Sequence, residues 1–189
     1  MLRNHADARR CSYFELGLPV VITTGIDKIW CSDLVEMQQF KWNQGYRYLL
    51  MVLDLFSKYG WIVPLKDKEG ETVTEAFKTI FKEGCRPQYL WTDKGKEYYN
   101  KNMRELLEKN GITLYSTENE ESSVCKRWNR TIKTKMWKQF TVQGNTIHLD
   151  ILPKILSQYN NTKHSSIKMT PIQASKKKNE SAVSIYMVM

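Results

Sequence analysis

Apolar residues cluster in three short runs near the start of the chain, a pattern typical of β-strands. The runs cover residues 29–37, 46–55 and 61–65, and the last two are separated by a polar segment that contains Lys58 and Gly60. Two β-rich runs joined by such a segment predict a β-hairpin. We therefore expect three strands here, two of them paired as a hairpin.

The remainder of the chain alternates helical periods with single strands. Apolar residues at helical spacing predict helices over residues 72–82, 102–110, 148–161 and a long basic segment from Ser122 or Ser123 to about 140. Short apolar runs predict two more strands, at residues 87–93 and 112–117. Three strands followed by alternating helices and strands predict an α/β domain with a mixed sheet.

Composition narrows the class of protein. The chain has 189 residues, of which 41% are hydrophobic, and a formal net charge of +9. This content of apolar residues excludes general disorder, and no run approaches the ~20 apolar residues of a membrane span. The four cysteines lie far apart, at Cys11, Cys31, Cys85 and Cys125, without the spacing of a zinc or redox motif. We expect an intracellular protein with reduced thiols and no membrane contact.

Two aspartates on predicted strands are the first candidates for chemistry. Asp33 interrupts the apolar run IWCSDLVEM, and Asp93 follows YLW at the end of another strand. A carboxylate among large apolar neighbours is unfavourable unless it is paired or metal-bound, and two on neighbouring strands would suit Mg²⁺. The alternative is that Asp33 points outward and Asp93 caps a turn. Asp54 is better explained as the cap of a turn before Ser57.

Five short motifs carry a resemblance to a known family. In chain order they are DKIWCSDLVEM, YRYLLMVLDLFSKYGWIVPLKDKEGETVTEAF, LWTDKGKEYYN, STENEESSVCKRWNRTIKTKMW and YNNTKHSSIKMTPIQA. Together they resemble the catalytic core of retroviral-type integrases of the DDE superfamily, as found in large eukaryotic DNA transposons and in host genes derived from them. The resemblance implies a ribonuclease-H-like fold, a five-stranded mixed sheet flanked by helices.

The resemblance also implies a metal-dependent reaction on DNA. In that family two aspartates and a glutamate bind two divalent ions, Mg²⁺ or Mn²⁺, for in-line phosphoryl transfer. Asp33 and Asp93 match the two aspartates, whereas Lys126 stands where relatives have the glutamate, immediately before RWNRT. A cation at the third position of this Asp-Asp-Lys triad predicts weak or lost metal binding and impaired catalysis.

Two other functions remain open. Glu121 lies five residues before Lys126, about 140° around a helix, and a loop would have to bring it into the site for an active two-metal strand-transfer enzyme. In the other alternative, a host-adopted domain uses the same fold for protein contacts only.

Basic residues near these motifs suggest DNA as the partner. The family's long helix and the loop after the second aspartate face DNA phosphates. The matching residues are Lys94, Lys96, Arg127, Arg130 and Lys133. The alternative interpretation is that these basic residues simply form a solvated helix face. The resemblance further implies a nuclear location and a homodimer.

The span of the resemblance divides the chain into three parts. Residues 27–179 form the expected integrase-like core, preceded by a poorly specified leader at 1–26 and followed by a C-terminal tail at 180–189. The His/Cys zinc module that precedes the core in retroviral-type integrases has no counterpart in the leader sequence. An isolated or decayed core is the expectation.

Overall fold

A five-stranded mixed sheet forms the centre of the molecule. The computed structural model describes residues 23–40, 43–116 and 123–187. The strands are β1 (Ile29–Glu36), β2 (Tyr48–Asp54), β3 (Gly60–Leu65), β4 (Tyr89–Thr92) and β5 (Thr113–Ser116). Their order in the sheet is β3-β2-β1-β4-β5; the β1-β2 and β2-β3 pairs are antiparallel, and the β1-β4 and β4-β5 pairs are parallel. The predicted α/β class, mixed sheet and hairpin are confirmed.

Helices cover both faces of this sheet. They are α1 (Gly70–Phe81), α2 (Lys101–Lys109), α3 (Ser123–Gln143), α4 (Leu152–Asn160), α5 (Pro171–Ala174) and α6 (Glu180–Met187), with a 3₁₀ turn at Lys177–Asn179. The alternation of β1 sends Cys31 and Val35 to the face that packs on α3 and α4. It sends Trp30 and Leu34 to the face that packs on α1 and α2. β2 is buried along its whole length because it is covered on both faces.

Two helix boundaries differ from the prediction by more than two residues, for local reasons. Helix α4 begins at Leu152 rather than at residue 148, because residues 148–151 form a turn in which the His148 carbonyl accepts from the N–H groups of Ile151 and Leu152. Pro153 then occupies the first helical turn, where its missing N–H is tolerated. Helix α3 continues three residues beyond the predicted end, to Gln143, and is followed by Gly144 with φ +67°.

The C-terminal segment packs as a helix onto the domain, although the sequence analysis treats residues 180–189 as a tail. Val183 of α6 is fully buried against Phe56, Ile167 and Ala174. The Glu180 carboxylate accepts from the N–H of Ile26 at 3.0 Å. These contacts join the first described residues to α6, beside Phe56 of the β2-β3 turn. Residues 1–22 of the predicted leader lie outside the described residues.

None of the helices in the described part of the chain is long and apolar enough to cross a membrane.

Candidate metal and nucleic-acid site

Asp33 and Asp93 lie at the same edge of two adjacent parallel strands. The β1-β4 register pairs Cys31 with Trp91, and two further residues along each strand lead to Asp33 and Asp93. Cys31 and Trp91 pack against the helix α3 face, so alternation turns Asp33 toward that helix, and Asp93 directly follows the end of β4 beside it. Asp33 is half-buried and Asp93 is exposed. The prediction that their strands are neighbours is confirmed.

The two carboxylates interact electrostatically. Burial raises the pKa of Asp33 above its ordinary value, and the nearby charge of Asp93 is the second cause. Hydrogen bonds from the Leu34 backbone and from Asn129, together with the charge of Lys133, act in the opposite direction. Two like charges held at one edge favour the binding of a cation between them.

Asn129 is a site residue that the sequence analysis missed. Its Nδ2 donates to Asp33 Oδ2 at 2.6 Å, and its side chain is almost completely buried. Its Oδ1 is buried and has no hydrogen-bond donor among the described residues. The available signal was spacing, because Asn129 lies three residues after Lys126 and four before Lys133, on one flank of a helix.

Lys126 lies on the aspartate-facing flank of α3. Residues three and four apart share one side of a helix, so Lys126 is one turn before Asn129, which contacts Asp33. The Lys126 side chain is exposed. Within the described residues no group of three His, Cys, Asp or Glu side chains is placed to hold a metal. Glu121 lies outside the described residues.

This donor set fits one divalent cation better than two. Asp33 and Asp93 supply carboxylate oxygens, the ligand type that Mg²⁺ prefers. One oxygen of each is already engaged, Asp33 Oδ2 by Asn129 and Asp93 Oδ1 by the N–H of Gly95 at 3.0 Å. The second bond shows that Asp93 does cap a turn, as the alternative interpretation held, while its other oxygen takes no part in that bond.

The loop after Asp93 is anchored to β1. The buried Tyr98 hydroxyl shares a hydrogen bond of 3.1 Å with Ser32, which precedes Asp33. Lys94 and Lys96 of this loop are exposed. The anchor therefore holds two lysines at the edge where the aspartates lie.

Buried thiols connect β1 to the first turn of α3. Cys31 and Cys125 are both buried and free of a disulfide. A hydrogen bond in which the Cys125 thiol donates to Cys31 is the largest cause that raises the pKa of Cys125, and burial adds to it. Both side chains pack as small apolar groups between the strand and the helix.

The predicted basic surface is divided between two flanks of α3. The Lys133 charge acts on Asp33, whereas Arg127 lines a cavity next to Lys58 and Lys135. Arg130 is exposed between these flanks. The sequence analysis grouped all three on one DNA-facing surface, and the helical rotation of 100° per residue separates them.

The Asp54 carboxylate accepts from the N–H groups of Phe56 and Ser57 and from the Ser57 hydroxyl. It is thus the turn cap that the sequence predicts. Burial raises its pKa to about 6.

Comparisons with known proteins agree with this geometry. The sequence model described as "Integrase core domain" matches residues 24–122, more than half of the chain. A transposon-derived protein of Caenorhabditis elegans is 36% identical over 132 residues, covering 69% of this chain and 46% of that protein. Ty1 Gag-Pol polyproteins of Saccharomyces cerevisiae are 31% identical over 115 residues, 57% of this chain and 7% of theirs. The chain thus spans about half the length of the nematode relative and a small part of the yeast ones.

Solved structures share the fold at low identity. A chain of the simian T-cell lymphotropic virus intasome in complex with PP2A regulatory subunit B56 gamma superposes with a TM-score of 0.75 at 18% identity, covering 84% of this chain and 57% of that one. The catalytic core domain of HTLV-2 integrase in complex with magnesium gives 0.68 at 18% identity, covering 80% and 97%.

The strand order, the adjacent aspartates and the matched family agree, and this ribonuclease-H-like chain belongs to the integrase core family of the DDE superfamily.

Proposed function

We propose that this integrase core of transposon origin binds DNA but is impaired in two-metal catalysis. The observation that carries the proposal is Lys126 on the flank of α3 that faces Asp33 and Asp93. The matched family segment ends at residue 122, so this departure lies just beyond it.

The charges explain the impairment. Two Mg²⁺ ions bring four positive charges, which three carboxylates balance far better than two carboxylates and an ammonium group. Two unit charges ~4 Å apart interact by roughly 4 kcal/mol at an effective dielectric near 20. The exposed Lys126 is screened by solvent, so its effect is smaller than that figure. A single ion held by Asp33 and Asp93, which would orient a phosphate, is compatible with these residues.

DNA binding would use the basic residues around the aspartate edge. Lys94 and Lys96 lie in the anchored loop, and Arg130 and Lys133 follow on α3. Arg127 belongs to the same predicted set but reaches the opposite flank of the helix. A DNA partner would place the protein in the nucleus. HTLV-2 integrase cores have been solved in dimeric and trimeric forms, which supports a homodimer for this chain.

Metal titration of charge variants tests the role of Lys126. We expect Lys126→Glu to bind Mg²⁺ or Mn²⁺ about tenfold or more tightly than the unchanged protein, and Lys126→Ala to lie between them, because only glutamate adds both charge and a ligand. Lys138→Glu makes the same charge change on the far side of α3 and should have little effect. The measurement is calorimetry, followed by a DNA nicking assay.

An unchanged protein that binds two ions as well as Lys126→Glu, or that nicks DNA through Asp33 and Asp93, would contradict the impairment. Glu121 would then be the residue to replace, since it is the substitute ligand in the alternative proposal.

Salt dependence tests DNA binding. Four to six phosphate contacts predict a log–log slope of roughly −4 to −5 for duplex DNA, with little sequence preference. Lys133→Ala and Arg130→Ala should each reduce the slope by about 1. Lys78→Ala, on α1 across the sheet and ion-paired with Glu75 at 2.6 Å, should leave it unchanged. Affinity that is absent at low salt, or flat with salt, would favour the protein-contact function instead.

A further inference from the structure

A second cationic site lies on the flank of α3 that faces away from the aspartates. A cavity of about 440 Å³ opens between the β2-β3 turn, the first half of α3 and the segment after α4. This volume falls in the range of small-ligand pockets. Four cations line it, namely Lys58, Arg127, Lys135 and Lys163.

The helix separates this cavity from the aspartate edge. Arg127, Thr131 and Lys135 recur every four residues and all line the cavity. Asn129 and Lys133 recur at the same interval and interact with Asp33. At 100° per residue the centres of the two rows are about 180° apart, so they lie on opposite flanks.

Acidic side chains are absent from the cavity lining in the described part of the chain. Lys58 interacts with Asp54, which lies behind it in the turn. Burial is the main cause that lowers the pKa of His164, and the charges of Lys58 and Arg127 add to it. Lys58 and Arg127 are therefore close enough to repel one another, and an anion in the cavity would relieve that repulsion.

Hydrogen bonds hold two walls of the cavity in place. The Asn160 side chain bonds both the N–H and the C=O of Gly60, which fixes the turn that carries Lys58 to helix α4. His164 Nδ1 accepts from the N–H and the hydroxyl of Ser166. These bonds connect the turn that carries Lys58 to α4 and hold the segment that contains His164 and Ser166.

Neutral donors complement the cations. Ser165 contributes a hydroxyl donor to the lining, whereas the hydroxyls of Thr131 and Ser166 already donate to the Arg127 carbonyl and to His164. Trp128 also lines the cavity, and its buried Nε1–H has no acceptor among the described residues. Cations and hydroxyl donors together are the groups that bind phosphate oxygens.

We propose that this cavity binds a multiply charged phosphate group. Its four cations match a ligand with several negative charges better than a single monoanion. The ligand is either a free oligophosphate, as in a nucleotide, or consecutive phosphates of a nucleic-acid strand. The site is independent of the aspartate edge and of the DNA contacts proposed there, Arg127 excepted.

Calorimetry with inorganic triphosphate at constant ionic strength tests the site. We expect one triphosphate per chain, and at least a tenfold loss of affinity in Arg127→Ala and in the double variant Lys135→Ala/Lys163→Ala. The double variant removes exposed or half-exposed side chains and avoids the structural turn at Lys58. Lys138→Ala removes an exposed cation of α3 outside the lining and should bind triphosphate normally.

Duplex and single-stranded DNA in the same assay identify the source of the phosphate. Loss of triphosphate binding with unchanged DNA affinity in the double variant would indicate a free ligand. A parallel loss of both, with competition between them, would indicate nucleic-acid phosphates. The proposal is overturned if the unchanged protein binds no triphosphate, or if Lys138→Ala weakens binding as much as the cavity variants do.

Discussion

Asn129 is the side chain through which helix α3 hydrogen-bonds to Asp33 of β1. It donates to a carboxylate whose pKa is already raised by burial and by Asp93. The bond stabilises the charged form of Asp33 and fixes which oxygen faces away from the helix. A neutral donor therefore holds Asp33 at the edge that it shares with Asp93, where we propose that a cation binds.

Asn129→Ala is expected to lower the free energy of unfolding by about 1 kcal/mol at neutral pH. The loss is at the low end for a bond to a carboxylate, because the variant also removes the buried, unsatisfied Oδ1. Since the bond favours the charged form, the deficit should shrink as pH falls through the raised pKa of Asp33. Urea unfolding at several pH values measures it, with Lys138→Ala as the control. A deficit that grows on acidification would contradict this role.

The β2-β3 turn and helix α4 form one structural unit. β3 is an edge strand, and the outward-facing backbone groups of its first residue, Gly60, would be buried without partners if Asn160 did not bond them. Gly60 is also required sterically, because a Cβ there would lie 2.4 Å from Trp128 Cζ2. The turn, α3 and α4 thus meet at one glycine.

Asn160→Ala is expected to destabilise the protein by about 2–3 kcal/mol, because two buried backbone groups of Gly60 lose their partners. Asn161→Ala is the neighbouring control. Its exposed side chain bonds only the Ser157 carbonyl of its own helix, so we expect a change within about 0.5 kcal/mol. Denaturant unfolding of both variants measures the difference. If Asn160→Ala changes the free energy of unfolding as little as Asn161→Ala does, the contact between the turn and the helix does not stabilise the protein.

The C-terminal helix α6 packs on the domain beyond the segment that the family motifs cover. Val183 closes a small cluster with Phe56, Ile167 and Ala174, and Phe56 belongs to the turn that Asp54 caps. The chain ends of the described structure therefore stabilise the same turn region that forms one wall of the cationic cavity.

Val183→Ala should lower the free energy of unfolding by about 2 kcal/mol, from lost burial and the space left behind. Val142→Ala makes the same change at a side chain that is 80% exposed and should alter stability by less than about 0.5 kcal/mol. A chain shortened after residue 179 is expected to be less stable than Val183→Ala. If both changes are neutral in thermal unfolding, α6 is dispensable and the predicted boundary at 179 stands.

Local patterns in the sequence were sufficient for the five strands and for helices α1 to α4, and they singled out both aspartates as candidates, which the family resemblance then matched to the metal ligands. Strand and helix periods depend on residues a few positions apart, and a carboxylate that interrupts an apolar run, such as Asp33, is visible without a partner. The replacement of the family's glutamate by Lys126 was also visible in the sequence, because it is a single position within a motif. Asp54 was identified as a turn cap for the same reason, since its partner Ser57 is three residues away.

Only tertiary contacts decided the rest. Asn129 became a site residue because helix packing brought it against a strand 96 residues earlier. Arg127 lines the cavity instead of the aspartate edge because the buried side of α3 fixes the rotation of the helix. Val183, in the predicted tail, is part of a buried cluster. Lys58 and Lys163, which are distant in sequence, line the same cavity. Each outcome depends on which distant surfaces pack together, and periodicity along one segment carries no information about its partner.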